Sequence, residues 1–141
     1  MVSRLSVYPL ILSAAMLCIC TITDLKVRQI SPALCLIFLL LSCFSQDKNY
    51  LHAFGGLCLG FLPLFVVALA GNGGGGDAVL AGALGFILPF RFAGCLFLTA
   101  SFAYILMLLI MIRRTGNPKT RLPYAPFLAF GWFVTLMISI F

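Results

Sequence analysis

The stretch Gly71-Asn72-Gly73-Gly74-Gly75-Gly76-Asp77 determines how the rest of the chain is interpreted, because an acidic residue follows a run of glycines and stands directly before apolar sequence. Glycine has no Cβ, so such a run permits unusual backbone angles and the close approach of another backbone. A charge in hydrocarbon costs roughly 2.5 to 3.5 kcal/mol, so a carboxylate at the mouth of a membrane helix is a candidate functional group. The alternative interpretation is a flexible turn whose aspartate caps the next helix.

The composition around this stretch is that of an integral membrane protein. Of the 141 residues, 63% are hydrophobic and 9% are charged, whereas soluble domains are about 25% charged. The length accommodates about six spans of roughly 20 residues with short connections. We therefore expect an all-α integral membrane protein in which residues 1–141 form a single membrane-embedded domain of about six transmembrane helices in one bundle.

The expected spans are the apolar runs between polar segments. Asp24 begins a short basic loop after the first run, and Phe90-Arg91-Phe92 is expected to form a minimal turn before the fifth. Gly82 and Gly85 have a spacing that permits close helix packing. The expected spans cover about 6–23, 30–44, 50–70 and 77–89, then a fifth run that reaches 112, and finally 122–141.

The basic residues lie in loops between apolar runs, so they indicate topology and not a nucleic-acid partner. If the loops after spans one, three and five face the cytoplasm, that side holds most of the positive charge, as the positive-inside rule requires. Asp24 and Asp77 are then both at the cytoplasmic face, and Asp47 is on the opposite side. The cytoplasmic bases would be Lys26, Arg28, Arg113, Arg114, Lys119 and Arg121, against Arg4, Lys48 and Arg91 on the other side.

The acidic residues limit the possible chemistry, since the chain contains only three, Asp24, Asp47 and Asp77. Two carboxylates held within a few ångströms cannot easily both ionise, so such a pair holds a single proton. It supplies a base for water and an acid for a carbonyl, which is what peptide hydrolysis requires without a metal. Which aspartate would be the base stays open, because coupled titrations belong to the pair.

Three motifs occur in order along the chain. Asp24-x-x-x-Arg28-x-Ile30 comes first, Gly74-x-Gly76-Asp77 matches the GxGD signature of membrane aspartic peptidases, and Leu122-Pro123-Tyr124-Ala125-Pro126-Phe127 comes last. Together they resemble the bacterial type IV prepilin peptidases over nearly the whole chain. The resemblance implies that Asp24 and Asp77 are the catalytic pair, without a metal or another cofactor. It also implies which residues shape the site, namely Gly74, Gly75, Gly76, Pro123, Pro126 and Phe127.

The chain departs from the family pattern at two motifs. Ala78-Val79 follows Asp77 where the family often has Val-Lys, and Ile30-Ser31-Pro32 stands where Ile-Pro-Asn is common. Neither change removes a carboxylate, so they bear on substrate preference and pH optimum.

The cysteines also distinguish this chain within the family. All six lie in apolar runs without a CxxC pair, so we expect them to pack as small hydrophobic residues, with neither a zinc site nor a disulfide framework. Without a cysteine-rich segment, the chain is similar to the short, peptidase-only forms associated with tight-adherence pili. We expect no methyltransferase activity.

The expected function is therefore an aspartic endopeptidase that removes the short basic leader from prepilin or pseudopilin precursors at the cytoplasmic face of the bacterial inner membrane. Its partners would be the precursor peptide and the lipid bilayer, while the oligomeric state stays open. The alternative is a small ion-coupled transporter or channel in which Asp24 and Asp77 carry protons or bind a cation, with its acids near the membrane midplane on broken helices. A lipid-headgroup transferase would require Mg²⁺ held by several carboxylates.

Overall fold

The computed structural model describes residues 7–27, 32–44, 49–69, 75–115 and 124–141, and within these ranges it contains six α-helices and no strand. Three of the helices are long and apolar enough to cross a membrane, over Val7–Asp24, Tyr50–Leu69 and Phe90–Arg114, and the other three are apolar but shorter. Most exposed side chains are large and apolar, as expected for lipid-facing surfaces. The expected helical membrane bundle is confirmed. The helices are α1 (Val7–Val27), α2 (Pro32–Cys43), α3 (Tyr50–Leu69), α4 (Gly75–Ile87), α5 (Phe90–Thr115) and α6 (Ala125–Ile140).

Two helix ends near the acidic residues differ from the sequence prediction. Asp24 lies inside α1, which continues to Val27, because a polar residue ends the apolar run without interrupting backbone hydrogen bonding. Gly75 and Gly76 open α4 and are helical, although a flexible segment was expected there. Glycine is disfavoured in the interior of a helix. Gly75 and Gly76 are instead the first two residues of α4, in the first turn, where the backbone N–H groups have no intrahelical acceptors. Both aspartates are therefore held on helices.

The expected turn at Phe90-Arg91-Phe92 is also wrong, because these residues form the first turn of α5. The chain turns instead at Leu88-Pro89. Proline disfavours helical angles in the residue before it, which ends α4. The carbonyl of Pro89 then accepts a hydrogen bond from the Ala93 N–H at 2.9 Å and begins α5.

The core of the bundle is the short helix α4. It contacts all five other helices, and nearly every residue after Asp77 is buried. Because most of these residues are small, the neighbouring helices can approach the α4 backbone closely. Asp77 is therefore attached to the central element of the fold. The buried residues are Ala78, Leu80, Ala81, Gly82, Ala83, Leu84, Gly85 and Ile87.

Helices α3 and α4 meet along a seam of small residues. A Cβ on Gly85 would overlap the carbonyl group of Gly56, and a Cβ on Gly56 would overlap that of Gly85. Gly60 faces the carbonyl of Ala81 in the same way. The close packing expected at Gly85 is confirmed, whereas Gly82 is less tight, with 3.1 Å between an added Cβ and the Cβ of Phe61. The other half of the seam, the small-x-x-x-small pattern Gly56-x-x-x-Gly60, is a known signal for membrane helix packing that the sequence analysis missed.

Helix α1 is attached to α6 by a buried polar contact. The indole N–H of Trp132 donates a hydrogen bond of 2.9 Å to Ser13 Oγ, which in turn donates 2.9 Å to the carbonyl of Leu10. Ser13 is fully buried. Interhelical hydrogen bonds of this kind contribute about 0.6 to 2 kcal/mol in membranes. The contact helps to fix α1 beside the helix whose N-terminus meets Asp24.

The cysteines only partly follow the expectation that they pack inside the bundle. Cys20 on α1 and Cys35 on α2 are buried, and their thiols hydrogen bond to each other. Cys18, Cys43 and Cys95 are exposed on the outside of the bundle, so the packing prediction is wrong for them. An apolar run in a membrane protein can face lipid as readily as protein, so hydrophobicity alone does not indicate burial.

Candidate active site

Asp24 lies in the last turn of α1 and is buried, with only 6% of its surface exposed. The backbone N–H of Ala125, the first residue of α6, donates a hydrogen bond to its carboxyl group. The second carboxyl oxygen, Oδ2, is buried and has no hydrogen-bond partner in the described part of the chain. A buried polar atom without a partner costs about 1 to 3 kcal/mol, and more when it is charged. Such a group requires an explanation beyond packing.

The hydrogen bond from Ala125 follows from the way α6 begins. Tyr124 occupies the N-cap position but its side chain makes no capping hydrogen bond, and Pro126 in the first turn has no N–H. The first N–H groups of a helix lack intrahelical acceptors, and the helix dipole favours a negative charge at this end. Asp24 therefore caps α6 from another helix through one oxygen, which leaves Oδ2 available for other chemistry.

Asp77 lies in the first turn of α4 and is partly buried. It is close enough to Asp24 for the charge on Asp24 to act on its carboxyl group. Asp24 is at the C-terminal end of α1 and Asp77 is at the N-terminal end of α4. The end of one helix and the start of the other therefore bring the two acids together. Asp47 lies outside the described residues.

Aromatic side chains from α5 and the start of α6 form a wall beside Asp77, which we call the aromatic wall and define as Tyr104, Tyr124 and Phe127. The ring of Tyr104 packs edge to face on Tyr124 at 5.3 Å and on Phe127 at 5.4 Å between ring centroids. The hydroxyl of Tyr124 is hydrogen bonded to Ser101 Oγ at 3.3 Å. The charge on Asp77 acts on the hydroxyls of both tyrosines. The wall therefore places two phenol groups near the carboxyl of Asp77.

Two consecutive residues at the start of α6 thus interact with the two acids in different ways. The side chain of Tyr124 lies within electrostatic reach of Asp77, and the backbone of Ala125 binds Asp24. The site is built from the end of α1, the start of α4, the middle of α5 and the start of α6.

A family model adds an independent observation. The model for the type IV leader peptidase family matches residues 11–141. The chain belongs to the type IV leader peptidase family. Membership implies that it is a peptidase, and it confirms the family that the sequence motifs predicted. A search of curated proteins and a search of solved structures each found no match.

The remaining site residues implied by the family resemblance lie at different places in this leader peptidase family member. Phe127 is part of the aromatic wall, and Pro126 lies in the first turn of α6. Gly75 is exposed, with nothing within 4 Å of an added Cβ, and Gly76 is partly buried next to Asp77. Gly74 and Pro123 lie outside the described residues.

Val79, which replaces the lysine often found in the family, is partly buried against the hydrophobic core. Its side chain therefore packs against apolar groups, and this chain places no cation at that position. The structure shows Val79 as part of the packing of α4 and gives it no polar contact.

Some site residues were missed by the sequence analysis. Tyr104 lies within a long apolar run of α5, where a single aromatic residue is ordinary, so no signal in the sequence marked it. Tyr124 was noticed only as part of the last motif, and Ser101 was not noticed. The proximity of the two tyrosines to Asp77, and the hydrogen bond between Ser101 and Tyr124, depend on the packing of α5 against α6, which a single sequence does not reveal.

Proposed function

We propose that this member of the type IV leader peptidase family is a membrane aspartic endopeptidase with Asp24 and Asp77 as its catalytic pair. The observation that carries the proposal is the buried, unpartnered Oδ2 of Asp24 within electrostatic reach of Asp77. Two carboxyl groups held together in this way share a proton and supply one acid and one base.

In the proposed reaction, the ionised carboxyl group of the pair takes a proton from water as the water oxygen bonds to the scissile carbonyl carbon. The protonated carboxyl group gives its proton to the carbonyl oxygen, which forms a tetrahedral intermediate. The intermediate collapses as the C–N bond breaks. The leaving amine takes a proton from the carboxyl group that is now protonated, and one hydroxyl of the intermediate returns its proton to the ionised carboxyl group, so the pair ends with one proton as it began. The hydrogen bond from Ala125 fixes the orientation of Asp24 throughout.

The proposed substrate is a prepilin-like or pseudopilin precursor, and the bond cut joins its short basic leader to the hydrophobic helix that follows. The leader would lie extended beside Asp24 and Asp77, while the precursor helix lies in the bilayer. The exposed bases Lys26, Arg113 and Arg114 terminate α1 and α5. By the positive-inside rule this end faces the cytoplasm, in the bacterial inner membrane. We propose peptidase activity without N-methylation, as in the short forms of the family.

The transporter alternative predicts acidic residues near the middle of interrupted helices. Asp24 lies in the last turn of α1 and Asp77 in the first turn of α4, and neither helix is interrupted beside its acid. Both positions support the peptidase proposal.

The test is co-expression of this protein with a prepilin that carries its leader, followed by mass spectrometry of the pilin N-terminus. We expect the native protein to remove the leader without adding a methyl group, and Asp24→Asn or Asp77→Asn to leave the leader in place. Asp47→Asn is the control and should cleave normally. Cleavage by both active-site variants at the native level would refute the proposal.

A further inference from the structure

The described part of the chain contains two buried side-chain polar atoms without a hydrogen-bond partner, and both belong to α1. One is Oδ2 of Asp24 and the other is Oγ1 of Thr21. Residues three apart in a helix are neighbours on its surface. Thr21 thus places an unpaired hydroxyl one turn before the proposed catalytic carboxyl group.

An unpaired threonine hydroxyl is unusual in this bundle, because threonine in a helix ordinarily donates to a carbonyl three or four residues earlier. Thr23 donates to the carbonyls of Ile19 at 2.7 Å and Cys20 at 3.0 Å. Thr99 bonds the carbonyl of Cys95 at 2.9 Å, and Thr135 that of Gly131 at 2.7 Å. Thr21 is on the same helix as Thr23 but its hydroxyl makes no such bond.

Thr21 Oγ1 and Asp24 Oδ2 are buried polar atoms one helical turn apart, so a single water is a suitable partner for both. A buried water needs two to four polar partners and is the usual means of satisfying buried polar atoms that have no protein partner. The Thr21 hydroxyl can donate to a water oxygen, and Asp24 Oδ2 can accept from the same water. Asp77 lies within electrostatic reach of Asp24.

We propose that Thr21 is a positioning residue that, together with Asp24 Oδ2, holds the water used in peptide hydrolysis. This proposal rests on the proposed peptidase function. The Thr21 hydroxyl donates to one lone pair of the water, an O–H of the water points at Asp24, and the second lone pair faces the scissile carbonyl carbon. Thr21 keeps its own proton, and the carboxyl pair takes the proton that the water loses.

The test compares the cleavage kinetics of the purified full-length protein in detergent micelles with a prepilin as substrate. Thr21→Val removes the hydroxyl and keeps the branched shape, Thr21→Ser keeps the hydroxyl, and Thr23→Val is the matched control on the same helix. We expect Thr21→Val to lower kcat about 10- to 100-fold, as misplacement of a reacting group does. We expect KM to stay within about twofold, because the loss is confined to the water.

Thermal unfolding separates a positioning role from a structural one. Thr21→Val removes a buried hydroxyl that makes no hydrogen bond to the described part of the protein, so its Tm should equal or exceed that of the native protein while its kcat falls. Thr21→Ser should restore kcat to within about threefold of native, and Thr23→Val should match native kcat. If Thr21→Val lowers Tm, the kinetics are measured with Thr21→Ala, which has a smaller side chain. The expected changes in kcat and KM are the same as for Thr21→Val.

Native kcat in Thr21→Val or Thr21→Ala would overturn the proposal, as would an equal loss in Thr21→Ser or in Thr23→Val. These outcomes differ from failure of the peptidase function itself. If the native protein does not cleave the prepilin, the peptidase proposal fails. If the native protein cleaves and Asp24→Asn does not, while Thr21→Val cleaves normally, only the role of Thr21 fails.

Discussion

The seam between α3 and α4 permits a graded test of the packing that holds Asp77 in place. At Gly85 an added Cβ would overlap the backbone carbonyl of Gly56, at Gly82 it would lie 3.1 Å from the Cβ of Phe61, and at Gly94 it would meet nothing within 4 Å. All three glycines are inside helices. Substitution by alanine therefore has a similar effect on helix propensity at all three positions, and the positions differ in the space available for the new methyl group.

The expected magnitudes follow from two opposing terms. Alanine gains up to about 1 kcal/mol over glycine inside a helix, and this is the whole effect expected for Gly94→Ala. In Gly85→Ala the clash is with a backbone group that cannot rotate away, so the helices must separate, at a cost of about 1 to 3 kcal/mol or more. The two variants should therefore differ by about 1 to 3 kcal/mol in the free energy of unfolding, with Gly82→Ala between them.

The assay is reversible unfolding in mixed micelles, followed by circular dichroism, with leader cleavage measured on the same samples. Because Asp77 is carried by α4, Gly85→Ala should also lower cleavage under conditions in which the bundle stays folded. Equal stability of Gly85→Ala and Gly94→Ala would refute the seam as described.

Further predictions concern the aromatic wall and the contact between α1 and α6. Tyr124→Phe removes a hydroxyl near Asp77 and should lower kcat for leader cleavage roughly 10-fold, as expected for the loss of a polar interaction with a charged group. The control is Tyr8→Phe, which should have native activity, because the native Tyr8 hydroxyl donates to the carbonyl of Leu41 at 2.9 Å and lies far along α1 from Asp24. Equal losses of activity in both variants would contradict a local role for Tyr124. Trp132→Phe removes the hydrogen bond to Ser13, whose hydroxyl still donates to Leu10. It should lower the free energy of unfolding by about 0.6 to 2 kcal/mol, the contribution of an interhelical hydrogen bond in a membrane. An unchanged unfolding midpoint would show that this contact does not stabilise the bundle.

Much of the fold could be predicted from the sequence because apolar runs of membrane length have few possible structures. The number of helices and their approximate positions follow from hydrophobicity alone. The helix ends do not follow from hydrophobicity, since Asp24 marks the end of an apolar run while α1 continues to Val27. Glycine was associated with loops, and Gly75 and Gly76 are helical.

The candidate site could be predicted only in its acidic part. The chain contains so few acids that Asp24 and Asp77 were natural candidates, and the order of the motifs indicated a family. Thr21 and Tyr104 could not be identified, because these helices are apolar on all faces and their sequence does not show which face is buried. The central position of α4 could not be predicted either. The small residues of α4 allow close packing only because Gly56 and Gly60 of α3 lie opposite them.

The central claim is that Asp24 and Asp77 act as one catalytic unit, and the most direct test is the cleavage rate of purified Asp24→Asn, Asp77→Asn and the double variant. Each single substitution should lower kcat about 10²- to 10⁴-fold, as expected for loss of acid or base catalysis. The double variant should be no slower than the slower single variant, because residues that act as a unit give non-additive losses. Single variants that keep a rate within tenfold of native, or losses that multiply in the double variant, would contradict the account.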